Sequence, residues 1–214
     1  MEIGSTIQPT STANWFIDMT ECTSIDLTNL DTSAVTDMSD MFSGCYSLTS
    51  LDVSNFDTSS VTNMSEMFTG CSALTSLDVS NFNTSAVTSM PLMFSGCSAL
   101  TSLDVSNFNT SVVTNMSYMF NFCSALTSLD LSNFNTSTVT NMGYMLGNCQ
   151  ALTTIYASAN FTVIQVTSSN NMFENMSTNL IGGAGTVWSS SNPIDKTYAH
   201  IDGGVSDPGY FTAK

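Results

Sequence analysis

The chain is periodic. Cys45, Cys71, Cys97, Cys123 and Cys149 follow one another at 26-residue steps, and everything around each cysteine repeats with it. The unit Leu48–Ala73 reads LTSLDVSNFDTSSVTNMSEMFTGCSA, and the next reads LTSLDVSNFNTSAVTSMPLMFSGCSA. Self-similarity of this kind marks a repeat array, in which no unit buries its own apolar face and stacked neighbours bury it together. Such arrays present long surfaces rather than enclosed catalytic pockets.

The register extends beyond the cysteines. Trp15-Phe16 lies 26 residues before Met41-Phe42, so an N-terminal half-repeat is already in phase. Cys22 occupies the slot of Leu48, and Met19 takes the cysteine slot. After Leu152 the pattern frays. Met172-Phe173 falls 27 residues after Met145-Leu146, which places a one-residue insertion near Asn160. From Leu180 onward the composition changes. The expected organisation is a half-repeat cap over residues 1–21, a repeat array over 22–177 with its last unit degraded, and a C-terminal cap over 178–214. Atypical end units shield the terminal repeats of an array.

Charge narrows the partners. The chain carries 17 acidic and 2 basic residues, a net charge of −15. Two cations do not neutralise a phosphate backbone, so nucleic acid is excluded as a partner, as is an anionic membrane surface. Only 9% of residues are charged, so solubility comes from hydroxyls, amides and the acidic excess. No apolar run approaches the ~20 residues of a membrane span, so direct membrane insertion is not expected. No secretory leader is legible. If the protein is exported, the chain is expected to be a mature or excised fragment, with Met1 added as an initiator.

Each repeat reads as strand, turn and short helical turn. Leu51 and Val53 alternate with Asp52, as in a strand with one buried face. Asn55 to Ser59 is turn-like. Asn63 to Gly70 reads as one turn of helix. The column at position 63 holds Asp37, Asn63, Ser89, Asn115 and Asn141, all good N-caps. Pro91 falls where a first-turn proline is tolerated, and Gly44, Gly70 and Gly96 fall where a helix would end. Leu48, Leu51, Val53, Phe56, Val61, Met64, Met67, Phe68 and Cys71 are the core columns, with the methionines as adaptable filler. At about 1.5–3 kcal/mol per fully buried large side chain, the stacked core is ample. The expected fold is a right-handed leucine-rich-repeat solenoid with short parallel strands and short helical or 3₁₀ turns.

The motifs LTSLDVSNFDTSSVTNMSEMF and GCSAL, recurring from about Trp15 to Leu180, resemble the BspA-like leucine-rich-repeat family of bacterial surface proteins, in its class with a 26-residue repeat. The tail segments GGAGTVW and DKTYAHIDGGVSDPGYFT look like the usual end of such arrays. The resemblance implies display on host-associated bacteria, with adhesion to host matrix proteins or to other bacteria. It supplies no catalytic residues, and the family's ligands are too varied to carry over.

Three columns carry candidate chemistry. The first is an aspartate ladder, Asp26, Asp52, Asp78, Asp104 and Asp130, ended by Tyr156. Carboxylates on strands about 4.8 Å apart repel by roughly 0.9 kcal/mol even at the dielectric of water. Calcium is the sharp reading, with Asp52, Asp78, Asp104 and Asp130 as ligand candidates. It wants about 6–8 oxygens, which a line of single aspartates does not supply. The bland reading is a solvated ladder with raised pKa values. The second column is the cysteines. Side chains pointing inward in parallel do not favour a disulfide torsion, and zinc lacks its CxxC spacing and histidines. Buried reduced thiols are expected. The third column varies: Leu92, Tyr118 and Tyr144 stand where Asp40 and Glu66 stand earlier, and Phe122 replaces the glycine of Gly70 and Gly96. On one turn of helix Tyr118 and Phe122 share a face, so Leu92, Tyr118, Phe122 and Tyr144 are expected to form an apolar stripe that binds a partner.

His200, the single histidine, reads as a structural or surface residue. No nucleophile motif, phosphate loop or metal signature appears, so no cofactor is expected beyond the low-ranked calcium. The expected function is non-enzymatic recognition or adhesion at the cell surface or outside the cell, towards a protein or glycan on a host or bacterial surface. The alternative is a structural spacer or fibre subunit. Ice binding through the columns of Thr58 and Thr62 ranks last, because the repeat lacks a flat Thr-x-Thr strand.

Overall fold

The computed structural model describes residues 6–214. It is largely non-helical: the one helical element among the described residues is a short 3₁₀ turn at Lys196–Tyr198. Three short strands, β1 (Ser128–Asp130), β2 (Thr154–Ala157) and β3 (Phe211–Ala213), form an open parallel sheet in the order β1-β2-β3. Leu129 pairs with Ile155 and Asp130 with Tyr156, one period apart, while β3 comes from the tail and extends the sheet.

The repeats are joined along the segment expected to be helical, and the helix is not there. Parallel bridges run Ser11↔Asp37, Asp37↔Asn63, Asn63↔Ser89, Ser89↔Asn115, Asn115↔Asn141 and Asn141↔Ser168. At each junction, alternate N–H groups donate to carbonyls of the next repeat. Met64 donates to Ser89 (3.0 Å), Glu66 to Pro91 (2.9 Å), Phe68 to Met93 (2.9 Å) and Gly70 to Ser95 (2.7 Å). The intervening N–H groups turn back three residues, Met67 to Met64 (3.5 Å), Thr69 to Glu66 (3.0 Å) and Cys71 to Phe68 (3.1 Å).

The cause is a left-handed residue in every other turn. Glu66 has φ 60° and Gly70 φ 74°. A positive φ at the third residue of a turn gives type II geometry, which reverses the chain instead of propagating a helix. Asn63 is therefore not a helix cap. Its Oδ1 accepts the Ser65 N–H at 3.1 Å and closes an Asx turn. Gly70 is the left-handed residue of a tight turn, not the end of a helix.

The strand side also differs from expectation. The strand register is one period, but strand pairing is confined to β1, β2 and β3. Leu51-Asp52-Val53 and its counterparts in the neighbouring earlier repeats are not strands. Side chains join those repeats instead. Asn55 Nδ2 donates to the carbonyls of Leu27 and Leu30, both at 3.0 Å, and Asn81 does the same to Val53 (3.0 Å) and Phe56 (2.9 Å). Thr84 Oγ1 donates to the Asn109 carbonyl (3.0 Å) and accepts the Asn109 N–H (2.8 Å). Thr32, Thr58, Thr110 and Thr136 make the same double bond to the next repeat, and all five threonines are buried. A buried hydroxyl that satisfies both a donor and an acceptor replaces two ladder bonds.

The core runs through every repeat. Phe16, Phe42, Phe68, Phe94 and Phe120 stack in a column with centroids 5.5–5.8 Å apart and nearly parallel rings. Met64, Met67 and Cys71 and their counterparts are fully enclosed beside it. Leu51 is only half-buried at the edge of this core. At the C-terminal end Trp188 donates its indole N–H to the Phe173 carbonyl (3.0 Å), and the Phe173 N–H is taken by Ile194 (2.9 Å). Asp202 ties the tail together. Its Oδ2 accepts the N–H groups of Ala184 (2.9 Å) and Thr186 (2.8 Å), and its Oδ1 accepts the Gly204 N–H (2.9 Å) and the Thr186 hydroxyl (2.7 Å). Gly182 has no room for a side chain there, since a Cβ would lie 2.3 Å from the Gly209 carbonyl and 2.7 Å from Asp202.

Candidate functional site

The aromatic residues lie on the turn face, at left-handed positions. Two columns of positive φ run along the array. One holds Asn14, Asp40, Glu66, Leu92, Tyr118, Tyr144 and Asn171, and the other Asp18, Gly44, Gly70, Gly96, Phe122, Asn148 and Asn175. Gly, Asn and Asp visit this conformation readily, while larger residues crowd their Cβ against the following carbonyl. Leu92 (φ 55°), Tyr118 (59°), Phe122 (59°) and Tyr144 (55°) are therefore placed against local preference.

The structure brings the stripe together by a different route from the helical one. Tyr118 and Phe122 do not share a helix face. Each is the third residue of its own turn, closed by Met119 N–H to Met116 O (3.3 Å) and by Cys123 N–H to Phe120 O (3.1 Å). Stacking of repeats, not helical periodicity, aligns Tyr118 with Tyr144. Their rings are parallel at 4.7 Å. Phe122 is 53% exposed, while Leu92, Tyr118 and Tyr144 are half-buried.

Amides flank these rings, and sequence reasoning missed them. Asn148 donates to Asn121 Oδ1 (3.1 Å), Asn175 to Asn148 Oδ1 (3.0 Å), and Asn171 to the Tyr144 hydroxyl (2.5 Å). The signal was present, since Asn148 stands one period after Phe122. The earlier end of the same face is acidic. The carboxyls of Asp40 and Glu66 are raised by burial and then by a neighbouring aspartate, Asp37 for Asp40 and Asp40 for Glu66. The later end thus offers ring faces and amides, chemistry suited to recognising another molecule through packing and neutral hydrogen bonds.

The aspartate ladder faces solvent, but its pKa values move opposite to expectation. Asp52, Asp78 and Asp104 are lowered, each by the side-chain and then the backbone hydrogen bond of the serine two residues on. The Asp78 Oδ1 accepts the Ser80 N–H at 2.9 Å, and Asp26 accepts from Thr28 in the same way. The expectation of raised values weighed only the neighbouring carboxylates; donors within each Asx turn outweigh them. At Asp130 burial raises the value, but Lys214, which ion-pairs with it and lies over the Tyr156 ring, and Ser132 bring it down. Among the described residues no three His, Cys, Asp or Glu side chains converge to hold a metal ion.

All six cysteines are free thiols. The five core thiols donate to the carbonyl of a phenylalanine in the preceding repeat, as Cys97 does to Phe68 at 3.2 Å. Burial pushes Cys97 and Cys149 up to about 12. The ring of His200 has its Nε2 3.2 Å from Asp207 in the tail, remote in sequence from the turn face. Of the two threonine columns behind the ice-binding idea, that of Thr58 is buried between repeats and offers no surface. No helix among the described residues is long and apolar enough to cross a membrane.

These features define a repeat protein whose 26-residue units are joined backbone to backbone. A family model described as a Mycoplasma protein of unknown function, DUF285, matches residues 10–103 and again residues 78–182, and the chain belongs to that family. No curated protein and no solved structure matches the chain.

Proposed function

We propose that this protein is a non-enzymatic recognition module, displayed at the cell surface or secreted, built as a right-handed leucine-rich-repeat solenoid of the BspA-like kind. It binds a protein or glycan partner through Leu92, Tyr118, Phe122 and Tyr144. The observation that carries this reading is the backbone these residues occupy. Each left-handed residue with a Cβ costs roughly 1–2 kcal/mol; in the same columns most other repeats place Gly, Asn or Asp, which visit this conformation readily, and Glu66 is the exception. Bulky residues kept at strained positions, with a half-exposed phenylalanine among them, point to use of the surface. A few aromatic anchors commonly carry most of an interface's energy.

The test begins with a screen against matrix proteins, mucins, glycans and bacterial surfaces, with and without calcium. The double variant Tyr118→Asn, Phe122→Asn then places in both columns a residue they already accept elsewhere. Binding is expected to weaken at least about tenfold, or about 1.4 kcal/mol, with an unchanged circular dichroism spectrum. Unchanged affinity rejects the stripe. Loss only on changing Asp78 and Asp104 moves the site to the aspartate face. The alternative role, a structural spacer or fibre subunit, draws on regular stacking alone and predicts no effect of the double variant.

A further inference from the structure

The junctions between repeats have a direction. At every one, from Thr12–Asp37 to Asn148–Glu174, the earlier repeat supplies four N–H donors on the turn face and the later one supplies the carbonyls. Among the described residues, the first repeat is therefore left with its own carbonyls unused. Those of Ser11, Ala13, Trp15 and Ile17 have no partner among the described residues, whereas their counterparts Asp37, Ser39, Met41 and Ser43 all accept. Nothing described covers this edge: Trp15 is 38% exposed and Ile17 40%. The same column is fully buried at Met41, Met67, Met93, Met119 and Met145, wherever a repeat precedes it. Thr12, in the column of Met38 and Met64, is buried with its hydroxyl unpaired.

We propose that the edge from Ser11 to Ile17 is a docking edge for one further repeat of this same turn-rich type, carried upstream on the same polypeptide. Continuity with the six described junctions argues for that occupant, because the next repeat outward would bring its four donors to the four bare carbonyls. Other occupants fit less well. A second copy meeting head to head opposes carbonyls with carbonyls. A second copy meeting head to tail finds the central donor, the Phe173 N–H, already taken by Ile194 in the tail. An ordinary β-strand alternates N–H and C=O along its edge and so places its own carbonyls against this one. A lone repeat has no core of its own and docks only as part of a continuous array.

The test extends the full chain at its N-terminus with a copy of Leu48–Ala73, joined through linkers that set it either in phase with Ser11–Ile17 or one residue out of phase. Trp15 is the probe, because the other tryptophan, Trp188, is already buried at the far end. The in-phase extension is expected to shift Trp15 emission to the blue and remove its quenching by acrylamide. The out-of-phase extension is expected to leave both as in the parent. Equal quenching in the two extended chains, whether both protected or neither, overturns the proposal.

Discussion

Replacing Thr84 with valine separates two accounts of the buried threonine column. If the column is β-branched core filler, valine is neutral or stabilising and serine is the worse substitution. If the hydroxyl joins the repeats, the order reverses. Thr84 is fully enclosed, and its Oγ1 bonds both the N–H and the carbonyl of Asn109, at 2.8 and 3.0 Å. Valine keeps the shape and strands both backbone groups inside the junction. Each orphaned group costs about 1–3 kcal/mol, so with two of them Thr84→Val is expected to destabilise by about 2–6 kcal/mol. Serine keeps both bonds and loses one methyl, about 1 kcal/mol. For a chain of this length about 3 kcal/mol corresponds to roughly 6–12 °C in Tm. Urea titrations of the three proteins, followed by circular dichroism, give the order directly. A valine variant as stable as the parent, or more stable than the serine variant, refutes the hydroxyl junction.

Asp202→Asn replaces an acceptor-only carboxylate with an amide whose NH₂ opposes backbone donors; a loss of about 3 kcal/mol is expected, read by unfolding of the tail around Trp188. Burial would raise the Asp202 pKa, but the hydrogen bonds from Thr186, Gly204 and Gly209 hold it well below the usual carboxylate range. Its stabilisation is therefore fully present above the unfolded value of about 3.9 and is lost as the pH falls through the folded value, a slope the variant should lack. Glu66 has the opposite sign: its raised pKa means that ionisation opposes folding, so Glu66→Gln should be more stable at neutral pH and equal to the parent below about pH 4; a constant difference at all pH values contradicts the assignment. Native alkylation should modify the half-buried Cys22 and spare the five buried thiols, while unfolding without reductant should release all six; reaction of a core cysteine at the native rate of Cys22 counts against the enclosed column.

Much of the fold was legible because a period leaves few choices. The 26-residue step fixed the register, the core columns and the pairing of Leu129 with Ile155. The conformation of Asn63–Gly70 was not legible, for a local reason. An Asn side chain accepting the N–H two residues on begins both a helix and an Asx turn, so NMSEMF reads either way. What decides is where the alternate N–H groups go, and that depends on the neighbouring repeat. The glycines Gly44, Gly70 and Gly96 fit a helix end or a left-handed turn equally well, and so does Asn148 in the same column. The aspartate pKa values were misjudged because like charges along the column were weighed without the serine two positions on, although the D-x-S spacing recurs in four repeats from Asp52 to Asp130.

The two faces of the array differ in how freely their sequence can change. On the Thr and Asn side the junction is made by side chains: Asn81 and Thr84 are themselves the links, so a substitution there breaks a join between repeats. On the turn face four backbone bonds join each pair of repeats, and side-chain bonds such as Thr69 Oγ1 to the Leu92 carbonyl (2.7 Å) are added at single junctions. Glu66, Leu92, Tyr118 and Tyr144 all donate the same N–H to the next repeat at 2.9–3.0 Å, whatever the side chain. A residue in that column changes from acid to aromatic without loss of a junction bond and with the same left-handed backbone, since Glu66 (φ 60°) and Tyr118 (φ 59°) adopt one conformation. That freedom places surface variation on the turn face rather than on the aspartate face.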